Sequence, residues 1–319
     1  MTRSVRITVV QEPPVYYNRD ATLERGTEII SRAAAEGAQL IVFPEAWVAG
    51  FLEPFYETAN SIGMGVFDDL YRLVFDNAVT LSRGQLDPIR DAARENGVVV
   101  VVGIHERSGD MSGGTLYNTA VTIDADGTFL NSHRKLMPTS AERQVWGFGD
   151  GSSLKVVDTA VGRIGVLLCW ESYMPLARMS LYAQQMEILC VPTADTSEVK
   201  RSMIHFASRE GGCAAVSAAA ILRKEDIPDS FPHPDAFGAT ESDFLWSGGV
   251  NISEPGGWGK LVHSKEQVGL VTEEVDLDLI KTAKRVFDCA GHYARPDVLQ
   301  LHVNTAKQAP VSWRDKSVA

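Results

Sequence analysis

Five valines in a row, Val98–Val102, lead directly into Gly103 and Ile104. Side chains on a strand alternate between its two faces, so an unbroken apolar run fits a strand covered on both sides. Such a strand needs a layer of structure above and below it, and the rest of the chain supplies the parts. Strand-like runs occur at Arg6–Gln11, Leu40–Phe43, Val98–Ile104, Leu116–Asp124, Arg163–Cys169, Ile188–Val191, Ala214–Ala218, Gly249–Ile252 and Val268–Val275. Helical patterns fall between several of them. Asp20 is placed to cap a helix through Glu36, with Leu23, Ile30, Ala33 and Ala34 inward and Gly37 as the left-handed residue beyond it. A second helix covers Leu86–Asn96 and closes at Gly97, and two more are expected near Pro175–Gln185 and Ser197–Glu210. Strand–helix alternation over this span predicts one α/β layered domain. Residues 226–246, aromatic and proline-rich with little periodicity, read as a long loop of the kind that often carries function. The stretch after Ala294 reads as a tail.

Bulk properties narrow the function classes. The chain has 319 residues, long enough for a large core, and its 30 basic against 41 acidic side chains give a formal net charge of -11. That balance speaks against a general nucleic-acid or anionic-membrane surface, both of which need clustered Lys and Arg. The N-terminal stretch has no signal-peptide pattern, since its apolar run Ile7–Val10 soon meets Pro13 and Pro14. No segment approaches a spanning helix. Four widely spaced cysteines, Cys169, Cys190, Cys213 and Cys289, suggest neither a disulfide framework nor a zinc knuckle, and the cytoplasm is the expected compartment.

Open α/β sheets bind ligands where strands finish. Three polar side chains stand at such points: Glu45 behind Pro44 in "LIVFPEAW", Lys135 in "FLNSHRKLMPT", and Cys169 in "RIGVLLCW". Singly, each has a plain structural reading as a helix-start carboxylate, a solvated lysine and a core thiol. Together they are chemically complementary. A thiol is mostly protonated at neutral pH, so a nucleophilic one needs help. A carboxylate can take its proton, and an ammonium can balance that carboxylate and then stabilise negative charge on a substrate.

Six ordered stretches, "FPEAW", "HRKLMPT", "ERQVWGFGDGS", "CWESYMPLARMSLYAQ", "VPTAD" and "GHYARPDVLQLHVN", resemble the nitrilase (carbon–nitrogen hydrolase) superfamily. The likeness runs from about Val5 to Asn304. It implies an α-β-β-α sandwich in a single domain at 1–280, extended to eight layers on dimerisation, with a tail at 281–319 that contributes to oligomer contacts. It implies Glu45 as base, Lys135 as charge stabiliser, Cys169 as nucleophile, and Glu142 as a further glutamate orienting substrate or water. The alternative for Glu142 is a salt bridge with Arg143 or another surface base. By the same likeness Trp146, Tyr173 and Thr139 are expected to line the substrate site, with core packing as the other reading of the aromatics, and Trp170 is expected there because it adjoins Cys169. Glu171 reads as a helix-start carboxylate.

Amide-cleaving branches follow the cysteine with Tyr-Asp, whereas "CWE" before "YMPL" resembles the true nitrilase branch. Two departures stand out: Ser172 replaces a usual asparagine, and "TSEVKRSM" follows "PTAD" where an aromatic is common. The implied activity is hydrolysis of an organic nitrile to the acid and ammonia through a thioimidate and a thioester on Cys169. An amidase or carbamoylase on the same scaffold, a cyanide hydratase or dihydratase, and a scaffold protein without chemistry are the alternatives. No cofactor or metal is expected: the seven histidines show no HExxH or short pairing, and "GFGDGS" lacks the phosphate-loop lysine. No histidine sits in a cysteine-protease signature, and His292 reads as structural. The expected partners are a small nitrile, water and a second copy of the chain, paired through Pro175–Gln185 and Ser197–Glu210.

Overall fold

The valine run lies at the start of a strand buried on both faces. The computed structural model describes residues 3–52, 54–55, 64–109, 112–237 and 242–311. Strands β1 (Ser4–Gln11), β2 (Leu40–Val42), β3 (Val99–Arg107), β4 (Leu116–Ile123) and β5 (Phe129–Arg134) share a sheet with β12 (Gly269–Asp276), in the order β12-β1-β2-β3-β4-β5. Strands β6 (Val157–Thr159), β7 (Gly162–Val166), β8 (Ile188–Thr193), β9 (Ala214–Arg223), β10 (Phe244–Ser253) and β11 (Leu261–Ser264) form the second, in the order β11-β10-β9-β8-β7-β6. Each sheet has a parallel centre, β1-β2-β3 and β7-β8-β9, with antiparallel strands outside it.

The alternation of the valines divides the core. Val99 and Val101, with Ile7, Val9, Leu40 and Val42, meet Ile164, Val166, Ile188 and Val216 of the second sheet. Val98, Val100 and Val102 turn to the other face, against Ile29, Ile30 and Ala33 of α1 (Arg19–Ala35). Ile89, Ala92 and Ala93 belong to the same cluster; between α1 and the helix that carries them lies α2 (Met64–Asn77), so that helix is α3 (Asp87–Asn96). The outer face of the second sheet, through Leu189, Val191 and Ala215, packs on Leu181 of α4 (Pro175–Tyr182) and on Ile204 and Ala207 of α5 (Glu198–Gly211). The order of layers is helix, sheet, sheet, helix, as the resemblance implied.

Local signals explain most boundaries. Gly37 (φ 88°) and Gly97 (φ 64°) follow α1 and α3 in the left-handed region, where a Cβ would be strained. Asn18, not Asp20, caps α1 by accepting from the Ala21 N–H at 3.1 Å. The strand expected to reach Cys169 ends at Val166. Strands β6 and β11, helix α2, and α6 (Leu279–Val286) had no counterpart in the sequence reading, and β5 had one only as the strand end placed before Lys135. The expected loop at 226–246 is packed: Phe231 stacks on Tyr17 at 5.7 Å and β10 starts at Phe244. Residues 238–241 of that loop and 312–319 of the expected tail lie outside the described residues. No helix among the described residues is long and apolar enough to cross a membrane.

Candidate active site

Strands β2 and β5 run in the same direction, so the residues after them emerge at one end of the first sheet. Glu45 follows β2. Its backbone lies so close to β3 that a Cβ on Gly103 would stand 2.3 Å from Pro44 O and 2.5 Å from Ala46 N, so only glycine fits there. Lys135 follows β5, held by its N–H to Asn118 O at 2.8 Å and by its carbonyl accepting from Gly149 N at 2.8 Å. Gly149 in turn leaves room for Arg134 O, which would lie 2.2 Å from a Cβ there. The "GFGDGS" stretch is thus a turn that props up the lysine.

Cys169 opens a 3-10 turn, Cys169–Tyr173, three residues beyond β7. Its φ of 50° is left-handed, a conformation that costs a non-glycine residue about 1–3 kcal/mol. Glu45, Lys135 and Glu142 are all out of solvent. The Lys135 ammonium donates to Glu45 Oε1 at 2.8 Å and to Glu142 Oε2 at 2.7 Å. Asn118 Nδ2 also donates to Glu45 Oε1, at 2.6 Å, while Glu45 Oε2 has no hydrogen-bond partner among the described residues. Glu142 sits in the 3-10 turn Ser140–Gln144 and accepts from the Thr139 N–H at 2.7 Å. Its pairing with Lys135 replaces the salt bridge to Arg143 that was the alternative.

The electrostatics follow from burial and this pairing. Burial disfavours the Lys135 ammonium, but Glu45, Cys169 and Glu142 outweigh it and hold the lysine charged. Burial, with Glu45 adding to it, raises Glu142 against the opposing pull of Lys135. Burial and then Glu45 push the Cys169 thiol up to about 11, with Lys135 and Lys200 acting the other way. In the resting site the sulfur therefore carries its proton, and Thr193 Oγ1 donates to it at 3.2 Å.

Cys169 opens onto a cavity of about 950 Å³. Glu142, Thr139, Trp170 and Tyr173 line it, together with Phe51, Asp195 and Trp246. Trp146 does not. It is buried behind Phe51, at 6.0 Å between ring centroids, and donates from Nε1 to His105 Nδ1 at 3.2 Å, which makes it core. Glu171 is more than a helix-start residue. Its carboxylate is buried, accepting from Leu136 N and Leu168 N at 2.8 Å each and pairing with His133 Nε2 at 2.8 Å.

Further residues at the site escaped the sequence reading, among them Asn118, Thr193, Lys200, Asp195, Phe51 and Trp246. For Lys200 a signal existed, because it occupies the inward register of α5 with Met203, Ile204 and Ala207. Asn118 lies within a strand buried on both faces, where a polar side chain is itself a marker. Among the described residues no group of three or more His, Cys, Asp or Glu side chains is placed to hold a metal ion. A thiol beside a carboxylate with one unpartnered oxygen, and an ammonium fixed between two carboxylates, can carry out nucleophilic acyl or imidoyl transfer.

A family model described as carbon–nitrogen hydrolase matches residues 6–285. Nitrilase 2 of Arabidopsis thaliana is 41% identical over 323 residues, covering 98% of this chain and 92% of its own length. The bifunctional nitrilase/nitrile hydratase NIT4B of Nicotiana tabacum is 38% identical over 328 residues, covering 99% and 90%. A solved carbon–nitrogen hydrolase from Helicobacter pylori G27 is alike in fold, with a TM-score of 0.69 over 90% of this chain and 94% of that one at 18% identity.

Proposed function

This chain belongs to the carbon–nitrogen hydrolase family, and on that premise we propose that it is a nitrilase, converting an organic nitrile and two waters to a carboxylic acid and ammonia. Cys169 is the nucleophile. Glu45 takes its proton as the sulfur adds to the nitrile carbon, and the nitrile nitrogen gains a proton to give a thioimidate. Water, deprotonated by Glu45, adds to that carbon, and Lys135 with the Trp170 N–H stabilises the tetrahedral species. Loss of ammonia breaks the carbon–nitrogen bond and leaves a thioester. A second water then releases the acid and restores the thiol. Expulsion of the sulfur from the tetrahedral species would give the amide instead, an exit consistent with relatives named bifunctional nitrilase/nitrile hydratase.

Glu142 shares the Lys135 ammonium with Glu45 and faces the cavity, so it orients the substrate nitrogen or the water. Thr139, Trp170 and Tyr173 form substrate-facing wall. The observation that carries the reading is the placement of Cys169 at the cavity with Lys135 bonded to both Glu45 and Glu142. The protein acts as a homodimer or larger assembly through α4 and α5, whose Leu176, Val199 and Phe206 are well exposed, with the tail at 281–319 adding contacts. We place it in the cytoplasm, where a free thiol nucleophile keeps its reduced form.

Matched nitriles and amides, assayed for ammonia and acid with wild type and Cys169→Ala, test the reading. Nitrile turnover that vanishes in the variant is expected. Rapid amide turnover without nitrile turnover would overturn the substrate, and activity surviving in the variant would overturn the nucleophile.

A further inference from the structure

One buried cation has no part in that scheme. Lys200 is 1% exposed on the inward face of α5, where the neighbouring positions are apolar. Its Nζ donates to Cys169 O at 2.9 Å and to Ser172 Oγ at 2.9 Å, and it lies 4.0 Å over the Tyr173 ring. Ser172 Oγ donates to the same Cys169 carbonyl at 2.5 Å. Both of the ammonium's hydrogen-bond acceptors are neutral, an expensive arrangement for a buried charge. The two places where the chain departs from the nitrilase pattern, Ser172 and the "TSEVKRSM" stretch, meet at this contact.

Charge around the sulfur gives the contact a purpose. Glu45 and Glu142 bear on it from the first sheet's end, and Lys135 alone leaves one negative charge unbalanced. Lys200 makes the count even. Other charged and titratable neighbours are Asp195, bonded to the Tyr173 hydroxyl at 2.9 Å and to Ser197 N at 2.9 Å, Glu171, paired with His133, and Arg178, which donates to Ser172 O at 2.8 Å and is paired with Glu210 at 2.7 Å.

We propose that Lys200 is a positioning residue for the nucleophile: gripping the Cys169 carbonyl, it holds that residue in its left-handed conformation and sets a second positive charge against the thiolate. It acts through Cys169 and touches no substrate. Burial weakens the lysine's hold on its proton, and Cys169 and then Asp195 offset that loss in part. The proposal rests on Cys169 being the nucleophile, but its test needs no nitrile.

Iodoacetamide alkylation of Cys169, followed on its own peptide by mass spectrometry across pH, reads the thiolate directly. Wild type is compared with Lys200→Gln and Lys200→Met, which lose the charge, and Lys200→Arg, which keeps it. Expected is at least about tenfold slower alkylation at neutral pH in the neutral variants, converging on the wild-type rate at high pH. Lys200→Arg stays within about threefold of wild type. Folded neutral variants whose profiles overlay wild type would overturn the proposal. So would an equal slowing at every pH, which reports access to the sulfur, or loss of the fold in both neutral variants, which makes Lys200 structural. Failure of the nitrilase reading appears separately, as wild type with this alkylation behaviour and no ammonia from nitriles.

Discussion

His133 Nε2 lies 2.8 Å from Glu171 Oε2, with both side chains out of solvent. Glu171 also accepts from the backbone N–H groups of Leu136 and Leu168. One carboxylate thus ties the residue after Lys135 to the residue before Cys169, across two sheets. The pair fixes the distance between Lys135 and Cys169.

Removing one partner of a buried pair strands the other, at about 3–5 kcal/mol. Glu171→Ala should lose stability on that scale and lose turnover with it. The pH dependence follows from His133. Burial opposes its charge, but Glu171 outweighs burial and raises it above the ordinary value of 6.5. A raised folded value means stability fully present below about pH 6.5 and lost as pH climbs through the higher folded value. Urea midpoints of wild type and His133→Gln should therefore differ most in mild acid and draw together with rising pH. A gap that widens with pH would contradict the assignment of the charged pair.

Glu45 should show opposite effects on the sulfur and on the reaction. Its charge is among the causes that push the Cys169 thiol up to about 11. Glu45→Gln removes that charge, so the thiol becomes more acidic and alkylates faster at neutral pH. Turnover nevertheless falls by about 10²–10⁴-fold, because no base remains to move protons during attack and hydrolysis. Parallel alkylation and ammonia assays check the pair of signs. Slower alkylation together with slower turnover would mean that Glu45 acts on the sulfur chiefly as its base and not through its charge.

The sequence was informative where apolar periodicity governs burial and blind where polar groups are buried. Val98–Val102 announced a doubly covered strand because both of its faces are hydrocarbon. Strand β5 was legible only as the strand end before Lys135, for the converse reason. In Phe129–Arg134 the inward side chains are Asn131 and His133, while Phe129 faces out. Lys135, at the end of that weakly marked strand, was singled out by its position and then by its chemistry beside Glu45 and Cys169. Trp146 shows the limit of carrying over a motif: its place in the chain suits a pocket wall, yet its ring bonds His105 in the core. Lys200 was missed because a lysine among apolar positions reads as a solvated interruption unless the register is followed through Met203, Ile204 and Ala207.

Gly103 has a definite cost of substitution. A methyl there would lie 2.3, 2.5 and 2.8 Å from Pro44 O, Ala46 N and Glu45 Cα, all backbone atoms that cannot swing aside. Gly103→Ala should lose about 1–3 kcal/mol through overpacking and displace Glu45 from Lys135. Turnover should drop by more than the stability loss accounts for at a temperature where the variant is fully folded. Thermal melts beside activity measured well below the melting point check this, and wild-type turnover in the folded variant would contradict it.

Lys135 stands between two buried carboxylates, so neutralising it should destabilise the protein in a pH-dependent way. In Lys135→Met the Glu45 and Glu142 carboxylates lose their shared ammonium, at a cost of about 3–5 kcal/mol near neutral pH. Burial already raises Glu142 above its ordinary 4.5, and Lys135 is the group that opposes this. Without the lysine the folded value rises further. A carboxyl raised in the folded state contributes stability when protonated, fully below its unfolded value, and loses it as pH rises. The melting-temperature gap between wild type and variant should accordingly narrow as pH falls toward 4.5 and widen above it. Turnover should be lost at every pH, since protonating the carboxyls restores the fold without restoring the ammonium. Activity recovered in acid along with stability would show that Lys135 serves the fold alone.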